Sequence, residues 1–252
     1  MRVLSLNVWY GTRKSELRAF LLSQLENTDV FCFQEANEES AKEIITELSA
    51  YNSQLQVARS VKMAGTSGGY YLYTIIKEPI TLVRQSSLLG REDSETGQAL
   101  ATELEVDGER LIVVNVHGIP YPGDKLDSEG RLRQTKQILE WLDTQETPAV
   151  VCGDFNLEPE TKSVQDFAAA GYQNLIKSYA IPTTRNRLVW ERYPDNVQLF
   201  ADYTFISPGL AVTSFKVPNV EVSDHLPMMI DIAVANNEVA GHIEQLNAHL
   251  VA

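Results

Sequence analysis

The sequence predicts an α/β fold in one domain, on three observations. Short apolar, β-rich runs alternate with helical patterns along the whole length. Several of those runs are apolar without interruption, as strands buried on both faces are. No repeat, low-complexity tract or Gly/Ser/Pro linker marks a boundary. A length of 252 residues admits one large domain or two small ones, at a prior of roughly 150 residues per domain. Such a chain buries on the order of 70–75% of its unfolded surface, enough for a core without disulfides. Residues 1–252 are therefore expected as a single domain with its core at about 3–234.

Strands are expected over 3–9, 30–33, 70–76, 101–106, 111–116, 149–152, 203–206 and 228–234, with Asp107-Gly108 turning one hairpin. Helices fall between them. Residues 15–25 carry Leu17, Leu21 and Leu25 on one face, and 40–51 carry Ile44, Ile45, Leu48 and Tyr51. Residues 131–142 carry Ile138, Leu139 and Leu142, and 163–170 end before Gly171, which suits a left-handed helix stop. The tail, 239–250, puts Val239, Ile243, Leu246 and Leu250 on one face and reads as a terminal helix, with His242 and His249 at its surface. Tyr70, Tyr71 and Tyr73, after Gly68-Gly69, read as core and rim packing, and Arg59 and Lys62 as solvated.

Thirty-four acidic residues against 21 basic ones leave a net charge of −13. That excludes a protein whose whole surface tracks nucleic-acid phosphates, since attraction to a polyanion needs a positive face. Disorder is excluded by 44% hydrophobic residues. Cys32 and Cys152 both lie inside apolar runs, which fits small buried hydrophobes rather than a disulfide framework or a zinc site. No apolar stretch approaches the ~20 residues that cross a bilayer. The N-terminus runs straight into strand pattern rather than a leader, so a cytoplasmic monomer without stable membrane insertion is the expectation.

The chemistry falls at strand ends. Asn7 follows Leu4-Ser5-Leu6, Gln34-Glu35 closes Val-Phe-Cys-Phe, and His117 closes Leu-Ile-Val-Val-Asn-Val. Asp154 and Asn156 close Ala-Val-Val-Cys, whereas Asp202 opens Tyr-Thr-Phe-Ile and Ser223-Asp224-His225 opens the last run. In a mixed sheet one strand's end neighbours another's beginning, so these groups are expected on one rim. Four carboxylates, two carboxamides and two imidazoles, with no cysteine, suit Mg²⁺ or Mn²⁺. Each group alone has a structural explanation: Asn7 as a strand end, Asp154 with Asn156 as an Asx-turn, Asp224-His225 as a cap or loop pair, His117 as a core histidine. Their joint occurrence is what points to a site.

Read in order, LSLNVW, FQE, NVH, GDFN, DYTFIS and SDHLP resemble the motif series of the endonuclease/exonuclease/phosphatase superfamily, the DNase I-like metal-dependent phosphoesterases. The resemblance runs from Leu4 to about Ile232, and Arg131-x-x-Gln134-x-x-x-Ile138 is similar to the family's helix after the histidine motif. It implies a four-layer α/β/β/α sandwich and a hydrolase that cleaves a phosphodiester or phosphomonoester by in-line attack of water with Mg²⁺ or Mn²⁺. Carried over motif by motif, Asn7, Glu35 and Asp224 would hold the cation. Asp154 and Asn156 would face the attacking water and phosphoryl oxygens, His225 paired with Asp202 would stabilise or protonate, and His117 would contact non-bridging oxygens. In-line positioning and neutralised equatorial oxygens are what phosphoryl transfer needs, whatever the family. One departure is Gly118 where Leu is common after the histidine, which predicts an unusual loop over the pocket.

Substrates left open by this reading are phosphorylated small molecules and nucleic-acid ends. A nuclease or DNA-end-processing phosphodiesterase is the alternative, and a catalytically silent phosphate-ligand or protein-binding module the non-enzymatic one. Residues 183–193 gather three arginines and two aromatics. In one reading Arg185, Trp190 and Arg192 seat a phosphate and stack a base. In the other, the stretch is a surface hairpin with Trp190 tucked into the body.

Overall fold

The structure is a computed structural model of the chain and describes residues 1–51, 55–59, 71–89 and 97–233. Along the chain the strands are β1 (Arg2–Asn7), β2 (Val30–Ala36), β3 (Leu55–Arg59), β4 (Tyr71–Lys77), β5 (Thr81–Leu89), β6 (Gln98–Val106), β7 (Glu109–His117), β8 (Ala149–Asp154), β9 (Gln173–Asn174), β10 (Asp202–Ile206), β11 (Ala211–Lys216) and β12 (Met228–Ala233). The helices are α1 (Lys14–Gln24), α2 (Glu38–Tyr51), α3 (Glu129–Asp143), α4 (Lys162–Ala169), α5 (Leu175–Ser178) and α6 (Arg187–Arg192).

Two six-stranded mixed sheets result, in the orders β11-β12-β1-β2-β4-β3 and β5-β6-β7-β8-β10-β9. Each has one parallel pair, β1 with β2 and β7 with β8, and is otherwise antiparallel. The alternation of side chains along β1 and β2 builds the layers. Leu4, Leu6, Phe31 and Phe33 face Leu17 and Leu21 of α1 and Ile44 and Leu48 of α2. Val3, Val30 and Cys32 point the other way, into the cluster that holds Val114, Val151 and Cys152 of the second sheet. Ile138 and Leu142 of α3 and Val164 and Phe167 of α4 cover that sheet's far side. The stack is helix, sheet, sheet, helix, as the resemblance implies. Burying one such Leu, Ile or Phe side chain contributes roughly 1.5–3 kcal/mol, and β1 and β8 are buried almost end to end.

Every expected strand is present within a few residues, and Asp107-Gly108 turns the β6–β7 hairpin with both residues at positive φ. Both cysteines are free and buried. Strands β3, β5, β9 and β11 were not expected. Strand β5 is largely exposed at the sheet's edge, and its identity comes from pairing with β6 rather than from an apolar run. Within the stretch read as a surface hairpin, Arg187–Arg192 form helix α6, because the Asn186 side chain accepts from Leu188 N and caps it. Gly68 to Tyr70, Lys62, His242, His249 and the 239–250 helix lie outside the described residues, and the side chains of Arg59 and Tyr71 are not described. Tyr73 is buried. Among the described residues no helix is long and apolar enough to cross a membrane.

Candidate active site

The register of the two sheets carries the strand-end groups to one rim. His117 and Asp202 both stand opposite Asp154, the first across the parallel β7–β8 pair and the second across the antiparallel β8–β10 pair. A strand that ends and a strand that begins thus meet at the same level. Two glycines permit the approach: a Cβ on Gly153, at φ 139°, would meet Val116 O at 2.0 Å, and one on Gly118 would meet Phe155 O at 2.1 Å. The latter is the physical reason that glycine replaces leucine after His117.

Asp154 is the hub. Its Oδ2 accepts from Asn7 Nδ2 at 2.9 Å across the interface between the sheets, and its Oδ1 accepts from Asn156 N at 2.9 Å in an Asx-turn. His117 Nε2 and His225 Nε2 lie 3.8 and 3.7 Å from Oδ2. Burial pushes the Asp154 carboxyl up, but His225, His117, Lys125 and Arg185 together hold it at about 2. It is an acceptor-only carboxylate at neutral pH.

His225 is oriented from behind. Its Nδ1 lies 2.9 and 3.0 Å from the Asp202 oxygens, and Asp202 N and Ala201 N both donate to Thr184 Oγ1. The segment before α6 therefore holds the site together. Thr184 O accepts from Leu226 N, Asn186 Nδ2 donates to Ser223 O, and Arg185 Nη2 donates to Asp224 Oδ2 at 3.1 Å. Burial and Arg185 pull the His225 pKa down, but Asp202, Asp154 and Asp224 outweigh them and raise it above 6.5.

Glu35 sits where β2 departs from regular pairing, at φ 52° in a register shift between Phe33 and Ala36. That kink turns its carboxylate to 3.5 Å from His117 Nε2. Burial pushes Glu35 up, and His117 more than compensates and lowers it; the mirror balance raises His117. Behind both, Gln34 Nε2 donates to Asn115 Oδ1 at 2.7 Å, and Asn115 Nδ2 donates to the carbonyls of Phe33 and Tyr73. This buried polar clamp joins the sheets one layer below the site.

The donor set fits a divalent cation. One ligand atom each from Glu35, His117 and Asp154 lie within 4.8 Å of one another, and so do atoms from Asp154, Asp202 and His225. His117 Nε2 is buried with no hydrogen-bond partner, an orphan atom pointing at the acidic group. Oxygen-rich donors of this kind suit Mg²⁺ or Mn²⁺. Asn7 adds Oδ1, which accepts from Trp9 N at 3.0 Å. Asp224 belongs to neither group; its carboxylate is on Arg185, with Oδ1 3.9 Å from His225 Nε2.

Two further residues complete the rim. Lys125, at φ 60°, is buried beside Asp154 and donates from Nζ to Asn156 Oδ1. No periodicity or motif marks it in the sequence. Its loop is held by α3: Arg131, fully buried, donates to the carbonyls of Ile119, Pro122 and Leu126, and Ile119 N donates to Gln134 Oε1. At the outer edge, the guanidinium of exposed Arg192 lies 5.5 Å from the Trp9 ring centroid and 5.4 Å from that of Tyr193. Trp190 is half-buried and donates from Nε1 to Gln198 O. Of the three residues expected at the substrate, Arg185 is at the rim's centre, Arg192 at its edge, and Trp190 packs beneath.

Residues 4–225 match the family model described as Endonuclease/Exonuclease/phosphatase family. The chain belongs to that family. Its members are phosphoesterases, and this protein is an enzyme of that class. The fold agrees with solved structures. An endonuclease/exonuclease/phosphatase from Bacteroides vulgatus superposes with a TM-score of 0.75 at 17% identity, covering 93% of this chain and 98% of that one. The mannosyl-6-phosphatase of Bacteroides thetaiotaomicron gives 0.71 at 15% identity, over 92% and 99%. TDP2 of D. rerio, complexed with a single-strand DNA product, gives 0.69 at 13% identity, over 93% and 99%. At these identities the likeness is one of fold. Among curated proteins none matches the chain in sequence.

Proposed function

We propose that the protein is a Mg²⁺- or Mn²⁺-dependent hydrolase that cleaves a phosphoester bond by in-line attack of water, in a single domain whose one site draws on residues from Asn7 to His225. The observation that carries the reading is Asp154 standing in register between His117 and Asp202, with Asn7 and Asn156 both bonded to its carboxylate.

Asn7 and Glu35 would hold the cation, with Asp224 contributing by its charge. Bound there, the ion supplies neutralisation of phosphoryl oxygens and a lowered pKa for attacking water. The residues supply the rest. Asp154, ionised and fixed by two hydrogen bonds, orients the attacking water and accepts from it. His117, whose Nε2 has no hydrogen-bond partner, would donate to a non-bridging oxygen. His225 keeps its Nδ1 on Asp202, so Nε2 carries a proton toward the scissile phosphate, and the raised pKa favours the imidazolium. Asn156, tied to Asp154 and Lys125, offers its carboxamide to the same oxygens.

The test is hydrolysis of a generic phosphodiester and a phosphomonoester with Mg²⁺ or Mn²⁺, with and without EDTA, for the native chain and for Asp154→Ala and His225→Ala. Losses of about 10²–10⁴-fold in each variant are expected. Full activity in both would overturn the site, and binding of phosphate without turnover would favour the non-enzymatic module. A second reading, processing of nucleic-acid ends, is supported by Arg192 over Trp9 at the rim, a cation and ring able to seat a phosphate and stack a base.

A further inference from the structure

Lys125 stands apart from every group the sequence motifs account for. It is 9% exposed, and its Nζ donates to Asn156 Oδ1; burial, with Arg185 and Arg131, pulls its pKa down against the opposing charges of Asp154 and Asp202. A buried ammonium is costly unless it is paired and hydrogen-bonded. The fold goes to some length to keep it there. Its own backbone is left-handed, its carbonyl accepts from Glu158 N at 2.8 Å, and the buried guanidinium of Arg131 gathers the carbonyls of Pro122 and Leu126 on either side. The same loop begins at Gly118, whose N donates to Asp154 O at 2.6 Å and whose O accepts from Asn156 Nδ2 at 3.1 Å. Residues 118–125 therefore form a wall tied to both Asp154 and Asn156, with one cation on its inner face.

Resting on the hydrolase reading above, we propose that Lys125 is a ligand of the phosphoryl group and makes phosphomonoesters the preferred substrates. A phosphomonoester presents three strong acceptor oxygens and nearly two negative charges at neutral pH. A diester presents two such oxygens, one charge and a second ester chain. The site offers three donors for the three oxygens: His117 Nε2, the free hydrogen of Asn156 Nδ2, and Lys125 Nζ. In the reaction, water oxygen bonds to phosphorus as the ester P–O bond breaks. One water proton stays on phosphate, and the leaving oxygen takes a proton from His225, which the other water proton replaces. The products are the free alcohol and inorganic phosphate.

The experiment compares p-nitrophenyl phosphate with bis(p-nitrophenyl) phosphate for the native chain, Lys125→Met and Lys125→Arg, each checked for folding by thermal unfolding. Calorimetric titration of inorganic phosphate in the presence of Mg²⁺ runs alongside. The native chain is expected to favour the monoester. Lys125→Met is expected to lower monoester kcat/KM by about 100-fold and diester kcat/KM by less than about 5-fold. Phosphate affinity is expected to fall by about 10-fold or more, with Lys125→Arg recovering part of both losses. Equal losses on the two substrates with phosphate affinity unchanged would overturn the proposal and leave Lys125 a support for Asn156. A native diester preference would overturn it as well. Failure of the hydrolase reading looks different: no turnover of either substrate by the native chain, with phosphate titration still deciding whether Lys125 is a ligand. If Lys125→Met does not fold, the Lys125→Arg comparison on the same two substrates and on phosphate carries the decision.

Discussion

His225 Nδ1 lies 2.9 Å from Asp202 Oδ2, and the far nitrogen of the same ring lies 3.7 Å from Asp154 Oδ2. One imidazole is thus held by a carboxylate behind it and faces another across the site. Asp202, Asp154 and Asp224 together raise its pKa above 6.5, against burial and Arg185. A reaction that needs the imidazolium is fully active below that raised pKa and loses rate as pH climbs through it. Asp202→Asn removes one of the raising charges, so the alkaline limb of kcat/KM moves to lower pH. The rate at neutral pH falls by about 100-fold as the ring loses its anchor. A pH–rate profile decides this, and a limb that stays in place in the variant would show that His225 does not set it.

Glu35 reaches the cation group only because β2 kinks at φ 52°. Its charge is the element that distinguishes metal holding from simple packing against His117. Glu35→Gln keeps the shape and removes the charge. The Mn²⁺ or Mg²⁺ concentration for half-maximal activity is expected to rise about 10–100-fold, with a matching loss in direct Mn²⁺ titration of the protein. Unaltered ion affinity in both measurements would remove Glu35 from the ligand set.

Much of this site was legible in the sequence because its residues interrupt apolar runs. Asn7, Glu35, His117, Asp154 and Asp202 each end or begin a strand, and a polar residue there has a visible background. The register that aligns His117, Asp154 and Asp202 follows from which strands pair, which one sequence does not specify. Lys125 was illegible for a different reason. Its burial comes from Arg131 and Gln134 on α3 drawing in the loop after His117, a tertiary effect with no local pattern. The same holds for Arg185, which is bonded to Asp224 and buried among the site's carboxylates rather than presented on an outer surface. Edge strand β5 escaped because its residues carry no apolar run, only a partner in β6.

Arg131 anchors the wall over the site, and its removal tests that wall. It is fully buried, and its side chain serves the carbonyls of Ile119, Pro122 and Leu126. Arg131→Met keeps much of the volume and leaves those acceptors unpaired, at about 1–3 kcal/mol for each one that stays buried. A loss of at least about 3 kcal/mol is expected, or roughly 6–12 °C in Tm for a chain of this size. Thermal unfolding measures it, and a shift within about 2 °C would show the loop to be held by other contacts.

The same loop is fastened at its far end by Asp127, which caps a helix from a distance. Its carboxylate accepts from Lys162 N at 2.6 Å, Ser163 N at 3.1 Å and Ser163 Oγ at 2.6 Å, at the first turn of α4, where Thr161 makes no side-chain cap. An anion on free N–H groups at a helix start is favourable twice over, through hydrogen bonds and the helix dipole. Asp127→Ala is therefore expected to cost about 1 kcal/mol, or about 2–4 °C in Tm. The pH dependence has a definite sign. Partial burial pushes the Asp127 carboxyl up, but the bonds from Ser163 and Lys162 hold it below its ordinary 3.8. Its stabilisation is complete above 3.8 and drains away as pH falls through the depressed value. The native protein and the variant should differ most at neutral pH and converge in acid. Urea unfolding between neutral pH and about pH 3 measures the gap, and a gap that stays constant over that range would mean the carboxylate's charge plays no part in the cap.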